Sequence, residues 1–437
     1  MATYYVDSTD GKAGNSGLDR EAPAADYKTL NVKPGDKVLF RRGSFIRGKL
    51  CSVEGEEGMP VTYGAYGSGE KPTFCGSVSL SRESLWTRES ENIWVYAAPE
   101  IDEAANLIFN KSDLCGVLRW SKEELRSQGD FWDNCFDLAN RPGEAPKEHR
   151  IYLYSAENPA LFYTDIECAM RSIPRLADNG HDIVFENLRF INGGQHGIAG
   201  TRQCRNLKIQ NCDFAYIGGA VWREERRIRF GNAIECWNFA ENVEVRGCLF
   251  DNIYDSAVTH QGDGRCRPAE RLVIQDNVFF RCGMAAYEQR DMIPKSAQFC
   301  GNVCIDAGEG FSGNGVTMPR ASEIWPKPMG HHIFFWRIPR AKGDETVSVR
   351  NNLFCNAPYG AAVYSLMGQE AEERVELEGN VYHTQNSDLI CRWHAVDYRS
   401  YEEFAFWDPD SAWVEADEAE KHILTMIRKS GTTASAG

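Results

Sequence analysis

The 437-residue chain has no run of about 18 apolar residues, which excludes a membrane-spanning helix. It also lacks basic charge: 48 Lys and Arg stand against 63 Asp and Glu, for a net charge of −15. A partner held through its phosphates needs concentrated positive charge, so nucleic acid is not an expected partner and a polyanionic substrate is disfavoured. No P-loop, dinucleotide-binding glycine fingerprint or zinc-ligand spacing is found. The 15 cysteines are odd in number and scattered, with no CxxC pair. That pattern reads as buried thiols in a reducing compartment and not as a disulfide framework. The opening MATYYVDSTDGKAG lacks the basic-then-apolar layout of a secretory leader. A cytoplasmic location is therefore expected, the alternative being secretion with the leader already removed.

What the chain does have is a repeat. A short alternating strand ends seven times on an aromatic or small apolar anchor: DIVFENLRF at Phe190, LKIQNCDF at Phe214, VEVRGCLF at Phe250, LVIQDNVF at Phe279, QFCGNVC at Cys304, VSVRNNLF at Phe354 and VELEGNVY at Tyr382. The anchors lie 24, 36, 29, 25, 50 and 28 residues apart, as expected if one coil takes about two dozen residues and two coils carry insertions. One such unit cannot bury its own apolar face, whereas stacked units can, so the pattern predicts an all-β solenoid. An asparagine recurs beside the anchors (Asn187, Asn211, Asn277, Asn302, Asn352, Asn380), at a turn that tolerates left-handed backbone and permits side-chain ladders. A β-sandwich is the competing architecture, but its strands rarely repeat one local motif.

These features resemble the right-handed parallel β-helix proteins of the pectin-lyase-like superfamily. YYVDSTDGKAGNSGLDREAP, VKPGDKVLFRRGSFIRGKL and VTYGAYGSGEKP are similar to the N-terminal coils of carbohydrate-active members. GNAIECW, YDSAVTHQG and GMAAYEQRD resemble the core coils of β-helix glycoside hydrolases, nearest to glycoside hydrolase family 141. The resemblance implies a right-handed parallel β-helix acting on an oligo- or polysaccharide. YKTLNVKPGD departs from it, being shorter than the family segment and implying a trimmed N-terminal cap.

Along the chain, residues 1–75 read as the first coils and cap. Residues 76–170, Trp-rich and without the repeat, read as an inserted β subdomain with SKEELRSQG as its one helix. Residues 171–385 form the main solenoid, and 386–437 a partly helical flanking segment.

If the anchors are equivalent, residues at one offset stack about 4.8 Å apart on successive coils. Nine residues past the anchor lie Ala199, Thr259, Glu288 and Val363, and removing about a dozen inserted residues from the 36-residue coil brings Glu235 into the same column. The preceding column, Ile198, Ile234, Val258, Tyr287 and Ala362, is mostly apolar and inward, so Glu235, Thr259 and Glu288 should face out, with Trp237, Gln261 and Arg290 two positions further on. Glu235 and Glu288 would then be about 9–10 Å apart at Cβ. Inverting glycosidases separate their carboxyls by about 6.5–9.5 Å and retaining ones by about 5–5.5 Å, so inversion is favoured.

The expected catalytic residues are Glu235, Glu288, Asp255 and His260, the last swung into the groove by a turn at Gly262. The expected substrate contacts are Trp237, Gln261, Arg290, His196, His332, Glu309 and Tyr287, with Trp222, Trp325 and Trp336 as further platforms, His331 closing over the same face beside His332, and Asp306 and Asp263 ranked below. Glu288 is the expected acid and Glu235 the base or nucleophile. A glycoside hydrolase without cofactor is the first reading. A polysaccharide lyase or uronate epimerase is the second, with Arg290, Lys295 or His260 as base and calcium as a possible partner. A non-catalytic glycan-binding solenoid is the third.

Overall fold

The structure is a computed structural model and describes residues 1–98, 101–136, 148–200, 204–237, 240–261, 269–312, 329–338, 340–341, 343–385 and 389–430, without the side chains of 426–430. Short runs rich in Val, Ile and Phe, broken at each turn by Asn, Asp or Gly, fold as strands that are too brief to pair with themselves. They pair with the next coil instead, building parallel sheets of ten, ten and nine strands, of which the nine-stranded sheet alone ends on an antiparallel pair, at Cys391–Trp393 and Val396–Tyr398. Each full coil visits the three in turn, as in Cys204–Gln210, Asp213–Ile217 and Ile234–Trp237, here called the first, second and third sheets. The fold is a parallel β-helix.

All seven anchors occupy one column of the second sheet, through the pairs Phe190↔Phe214, Phe214↔Phe250, Phe250↔Phe279, Phe279↔Cys304, Cys304↔Phe354 and Phe354↔Tyr382. Their rings stack inside the solenoid, with centroids 5.4 Å apart for Phe190–Phe214, 5.0 Å for Phe214–Phe250 and 4.8 Å for Phe250–Phe279. Burying each such ring is worth about 1.5–3 kcal/mol, and each stacked contact adds about 0.5–1.5 kcal/mol.

The asparagine signal divides into two. The position three before each anchor is left-handed in every coil from Asn187 on: Asn187, Asn211, Gly247, Asp276, Gly301, Asn351 and Gly379. The next position carries the ladder, in which Asn277 Nδ2 donates to Asn302 Oδ1 (3.1 Å), Asn302 to Asn352 (3.1 Å) and Asn352 to Asn380 (2.9 Å), all buried. One position relieves backbone strain and the other satisfies buried polar groups.

Strand Val61–Tyr66 pairs directly with His181–Glu186, and Thr73–Cys75 with Arg189–Gly193, so the solenoid continues past the intervening chain without a gap. Between Ser77 and Met170 two smaller sheets, of four and five strands, surround their own core of Trp86, Tyr96, Leu107, Phe131 and Ile151. SKEELRSQG forms only a single 3₁₀ turn, Lys122–Glu124, and a short α-helix, Pro159–Phe162, follows later. At the other end, the helix Ala416–Ser430 lies against the outside of the second sheet, Ala419 packing with Val278, Val303 and Leu353.

Both long coils insert their extra chain at the same corner, between the second and third sheets. The 36-residue coil spends it on the hairpin Ala220–Arg223 and Ile228–Phe230, and the 50-residue coil on the segment between Ile305 and His331.

Candidate active site

The third sheet aligns Glu235 with Thr259 and Thr259 with Glu288, in the strands Ile234–Trp237, Ser256–Gln261 and Ala285–Arg290. The neighbours Ile234, Val258 and Tyr287 belong to the solenoid core, so strand alternation turns the Glu235–Thr259–Glu288 column outward. The next column in the same direction is Trp237, Gln261 and Arg290. Beyond Glu288 the column runs to Phe334 and Tyr364, not to Val363. A strand lying within the 50-residue spacing, His331–Trp336, supplies the intervening member, and Val363 sits one position off, facing in.

The outward face is not an open groove. Glu235 is 8% exposed and Glu288 1%, so both carboxylates are largely removed from water. Burial acts to raise the pKa of Glu235, but partners overcome it. His196 Nδ1 lies 2.7 Å from Oε2, Asn232 Nδ2 donates to Oε2 (3.1 Å), and Gln261 Nε2 donates to Oε1 (2.8 Å), which holds the carboxyl at about 2. His196 gains in turn: burial disfavours its charge, yet the Glu235 carboxylate and their hydrogen bond raise its pKa above the usual imidazole value.

Glu288 has the opposite balance. Burial raises its pKa, and the negative charge of Asp255 adds to this. Arg290, with Nε and Nη2 at 2.8 and 2.6 Å from Oε1, and Ser256 Oγ, donating to Oε2 at 2.9 Å, only partly compensate. Arg290 also lies over the Trp336 ring, 5.0 Å from its centroid. Asn232 joins the two carboxylates mechanically, since its Oδ1 accepts the Ser256 backbone N–H (3.0 Å) while its amide holds Glu235. Between them stands Thr259, whose Oγ1 is buried and has no hydrogen-bond partner among the described residues.

Of the expected residues, Glu235, Glu288, His196, Gln261, Arg290, Trp237 and Asp255 come together on this face. Asp255 is buried at the corner that leads into Ser256, and its charge acts on His196, Glu288 and Arg290. Four others do not. The strand runs on through Gln261, so no turn swings His260 outward. It points inward beside Cys236 and Gln289, its Nδ1 3.3 Å from the Tyr287 hydroxyl, and burial lowers its pKa to about 4. Tyr287 is inward by alternation and stacks on Phe299 at 5.7 Å. His332 also points inward, against Phe354 at 5.6 Å, because the two residues at the start of its strand break alternation and His331 takes the outward place beside Phe334 and Tyr364. Glu309, though at the same offset from its anchor as Asp255, lines a separate cavity around the corner together with Asp306, since its coil departs there through the left-handed Gly308 and Gly310. Trp222 is exposed under Arg223, and Lys295 is exposed in a loop. Asp263 and Trp325 lie outside the described residues.

Asn232 and Ser256 went unrecognised in the sequence. Each sits where the chain turns the corner into a strand, outside the alternating register that locates the glutamates.

The long sheets define a parallel β-helix, and solved structures share it. The structure of XylC in complex with xylose matches with a TM-score of 0.56 at 10% identity, over 94% of this chain and 68% of the other. The GH136 lacto-N-biosidase from Eubacterium ramulus matches with a TM-score of 0.51 at 15% identity, over 94% and 66%. Pectate lyase Pel9A gives a TM-score of 0.44 at 12% identity, over 92% and 79%. The chain thus spans about two thirds of the length of the first two. At such identities the likeness is one of fold, and it does not show membership of glycoside hydrolase family 141. No family model matches the chain, and no curated protein sequence matches it.

Proposed function

We propose that the chain is a glycoside hydrolase that cleaves an oligo- or polysaccharide between Glu288 and Glu235. The observation that carries the reading is the opposed titration of two buried carboxyls in one outward column: Glu235 held ionised near 2, Glu288 raised. Such a pair divides the labour of glycosidic cleavage. Glu288, the carboxyl whose pKa burial and Asp255 raise, is assigned as the acid that protonates the leaving oxygen as that bond breaks, its proton hydrogen-bonded to that oxygen while Arg290 and Ser256 hold the carboxyl in place. Glu235 takes the proton from a water whose oxygen bonds to the anomeric carbon, so the products are a sugar with a new reducing end and the released alcohol. Two strand steps separate the residues by about 9.6 Å at Cβ, in keeping with an intervening water and with inversion. The Thr259 hydroxyl lies on the line between them and can orient that water or a sugar hydroxyl. Trp237 offers a flat apolar face, and the resemblance to family 141 points to the same chemistry.

Elimination on a uronate has less support. His260, one of its expected bases, is inside the solenoid, and Arg290 is bound to Glu288. The test is to incubate the protein with aryl glycosides and with plant and algal oligosaccharides, following reducing ends, ultraviolet absorbance and the anomer first formed. Reducing ends of inverted configuration are expected. An absorbing unsaturated product without reducing-end release by hydrolysis would overturn the reading.

A further inference from the structure

The corner between the second and third sheets repeats one position that this chemistry does not use. The second-sheet positions Ala215, Asp251, Phe280, Ile305, Cys355 and His383 are aligned coil by coil. The residues that follow them are Tyr216, Asn252, Arg281, Asp306, Asn356 and Thr384. The first five have left-handed backbone, with φ of 54° at Tyr216, Asn252, Arg281 and Asp306 and 57° at Asn356. Asn and Asp accept this conformation at little cost, but Tyr and Arg do so at the expense of strain, which is a pointer to function.

All six side chains line a single cavity of about 590 Å³, a volume typical of small-ligand sites. At about 4.8 Å per coil the column extends for about 24 Å. Leu114 and Cys115 of the inserted subdomain also line it. Tyr254, which directly precedes Asp255, packs on Phe311 of the cavity wall (5.5 Å) and under the Arg229 guanidinium (4.5 Å), and neither Glu235 nor Glu288 lines the cavity. At the far end Thr384 Oγ1 is buried with no hydrogen-bond partner among the described residues. The charge of the lining is negative: Asp113, Asp306 and Glu309 face Arg281, whose guanidinium is already held by Asp251 at 2.8 and 3.1 Å.

We propose that this column is a second saccharide-binding site, one that holds an extended stretch of neutral glycan along successive coils. The Tyr216 hydroxyl donates to the Ser112 carbonyl (2.5 Å), Asn252 Nδ2 to Asp251 Oδ1 (3.0 Å) and Asn356 Nδ2 to Asp306 Oδ1 (3.2 Å), which holds the column in place. The second amide hydrogens, the other Asp306 oxygen and Thr384 Oγ1, repeated at the coil spacing, match hydroxyls repeated along a sugar chain, and the negative lining repels uronates. The site stands whether or not Glu235 and Glu288 cleave a glycan.

The test is calorimetric titration of the full chain with xylohexaose, cellohexaose, hexagalacturonate and Ca²⁺ alone. Two variants accompany it: Asp306→Gly with Asn356→Gly, which removes both side chains where glycine adopts the backbone freely, and Thr384→Val, which keeps shape but removes the hydroxyl. At least one neutral hexamer should bind, at least tenfold more weakly to both variants, with aryl glycoside turnover unchanged. The proposal is overturned if neither neutral hexamer binds at millimolar concentration, if both variants bind like wild type, or if hexagalacturonate or Ca²⁺ is the ligand whose binding the variants abolish. Variant-sensitive binding without any turnover would refute the hydrolase alone, and turnover without such binding would refute the groove alone.

Discussion

The outward face of the third sheet has two halves with the same backbone and opposite chemistry. Over three coils its two columns read Glu235, Thr259, Glu288 and Trp237, Gln261, Arg290. Over the next two they read Phe334, Tyr364 and, beside them, Trp336. Phe334, Trp336 and Tyr364 pack with Met284, Met329 and Ala361 into a small outer core. That half contributes stability by burying apolar surface. The polar half removes charges from water at a cost, which close partners offset only when every one is in place. The contrast teaches that the solenoid supplies register and spacing, while the side chains decide whether a given coil adds stability or holds strained chemistry.

The comparison breaks most visibly at the glutamates. Glu288→Gln and Glu235→Gln should each lower kcat by about 10²–10⁴-fold, measured on whichever glycoside the protein cleaves. Wild-type rates in both would move the site off this face.

On the apolar half, Phe334→Ala should cost about 3–5 kcal/mol of stability by chemical denaturation. Its polar counterpart Thr259→Val should be close to neutral in stability, since the buried hydroxyl has no hydrogen-bond partner to lose among the described residues, while reducing activity. Equal destabilisation by the two would show that the halves do not differ in this way.

His196→Gln should shift pH dependence. Glu235 titrates below its unfolded value near 4.3, so it contributes stability above that pH and loses it as the pH falls towards about 2. His196 titrates above its unfolded value near 6.5, so its contribution is present below that pH and is lost as the pH rises through its folded value. The pair is therefore worth most between about pH 4.3 and 6.5. In the variant, denaturation midpoints should fall in that window, and the acid limb of activity should move to higher pH as Glu235 loses its imidazolium. Superimposable pH profiles for the two proteins would mean that the pair does not act in this way.

The smallest effect is expected at Trp237→Ala, which should raise KM by up to about tenfold with kcat nearly unchanged, as for the loss of a contact made equally in ground and transition states.

Much of this was legible in the chain. Seven anchors marked the coils because a solenoid must repeat whatever fills its core, and counting from them brought Glu235, Thr259 and Glu288 into one column. The count missed Phe334, whose strand His331–Trp336 lay concealed in the 50-residue spacing, and it slipped by one at Val363, because the outward Tyr364 stands ten residues past Phe354 where Thr259 and Glu288 stand nine past their anchors. Alternation placed Trp237, Gln261 and Arg290 outward and Tyr287 inward, at odds with a substrate-contact role for Tyr287, and it places His260 inward as well, since no turn interrupts the strand before Gln261. His331 and His332 were beyond it, because the strand breaks alternation at its start. Asn232 and Ser256 carried no periodic signal.

The sequence by itself determined the solenoid, its register and the parity of most strand residues, since these follow from local periodicity and from the need to bury one face. Only the tertiary structure decided the titration of the two glutamates, because a carboxyl's pKa depends on how much water is excluded and on which charges chain folding brings within a few ångström. His196 lies 39 residues before Glu235, on the preceding coil of the same sheet, and it is that stacking which sets the two carboxyls apart.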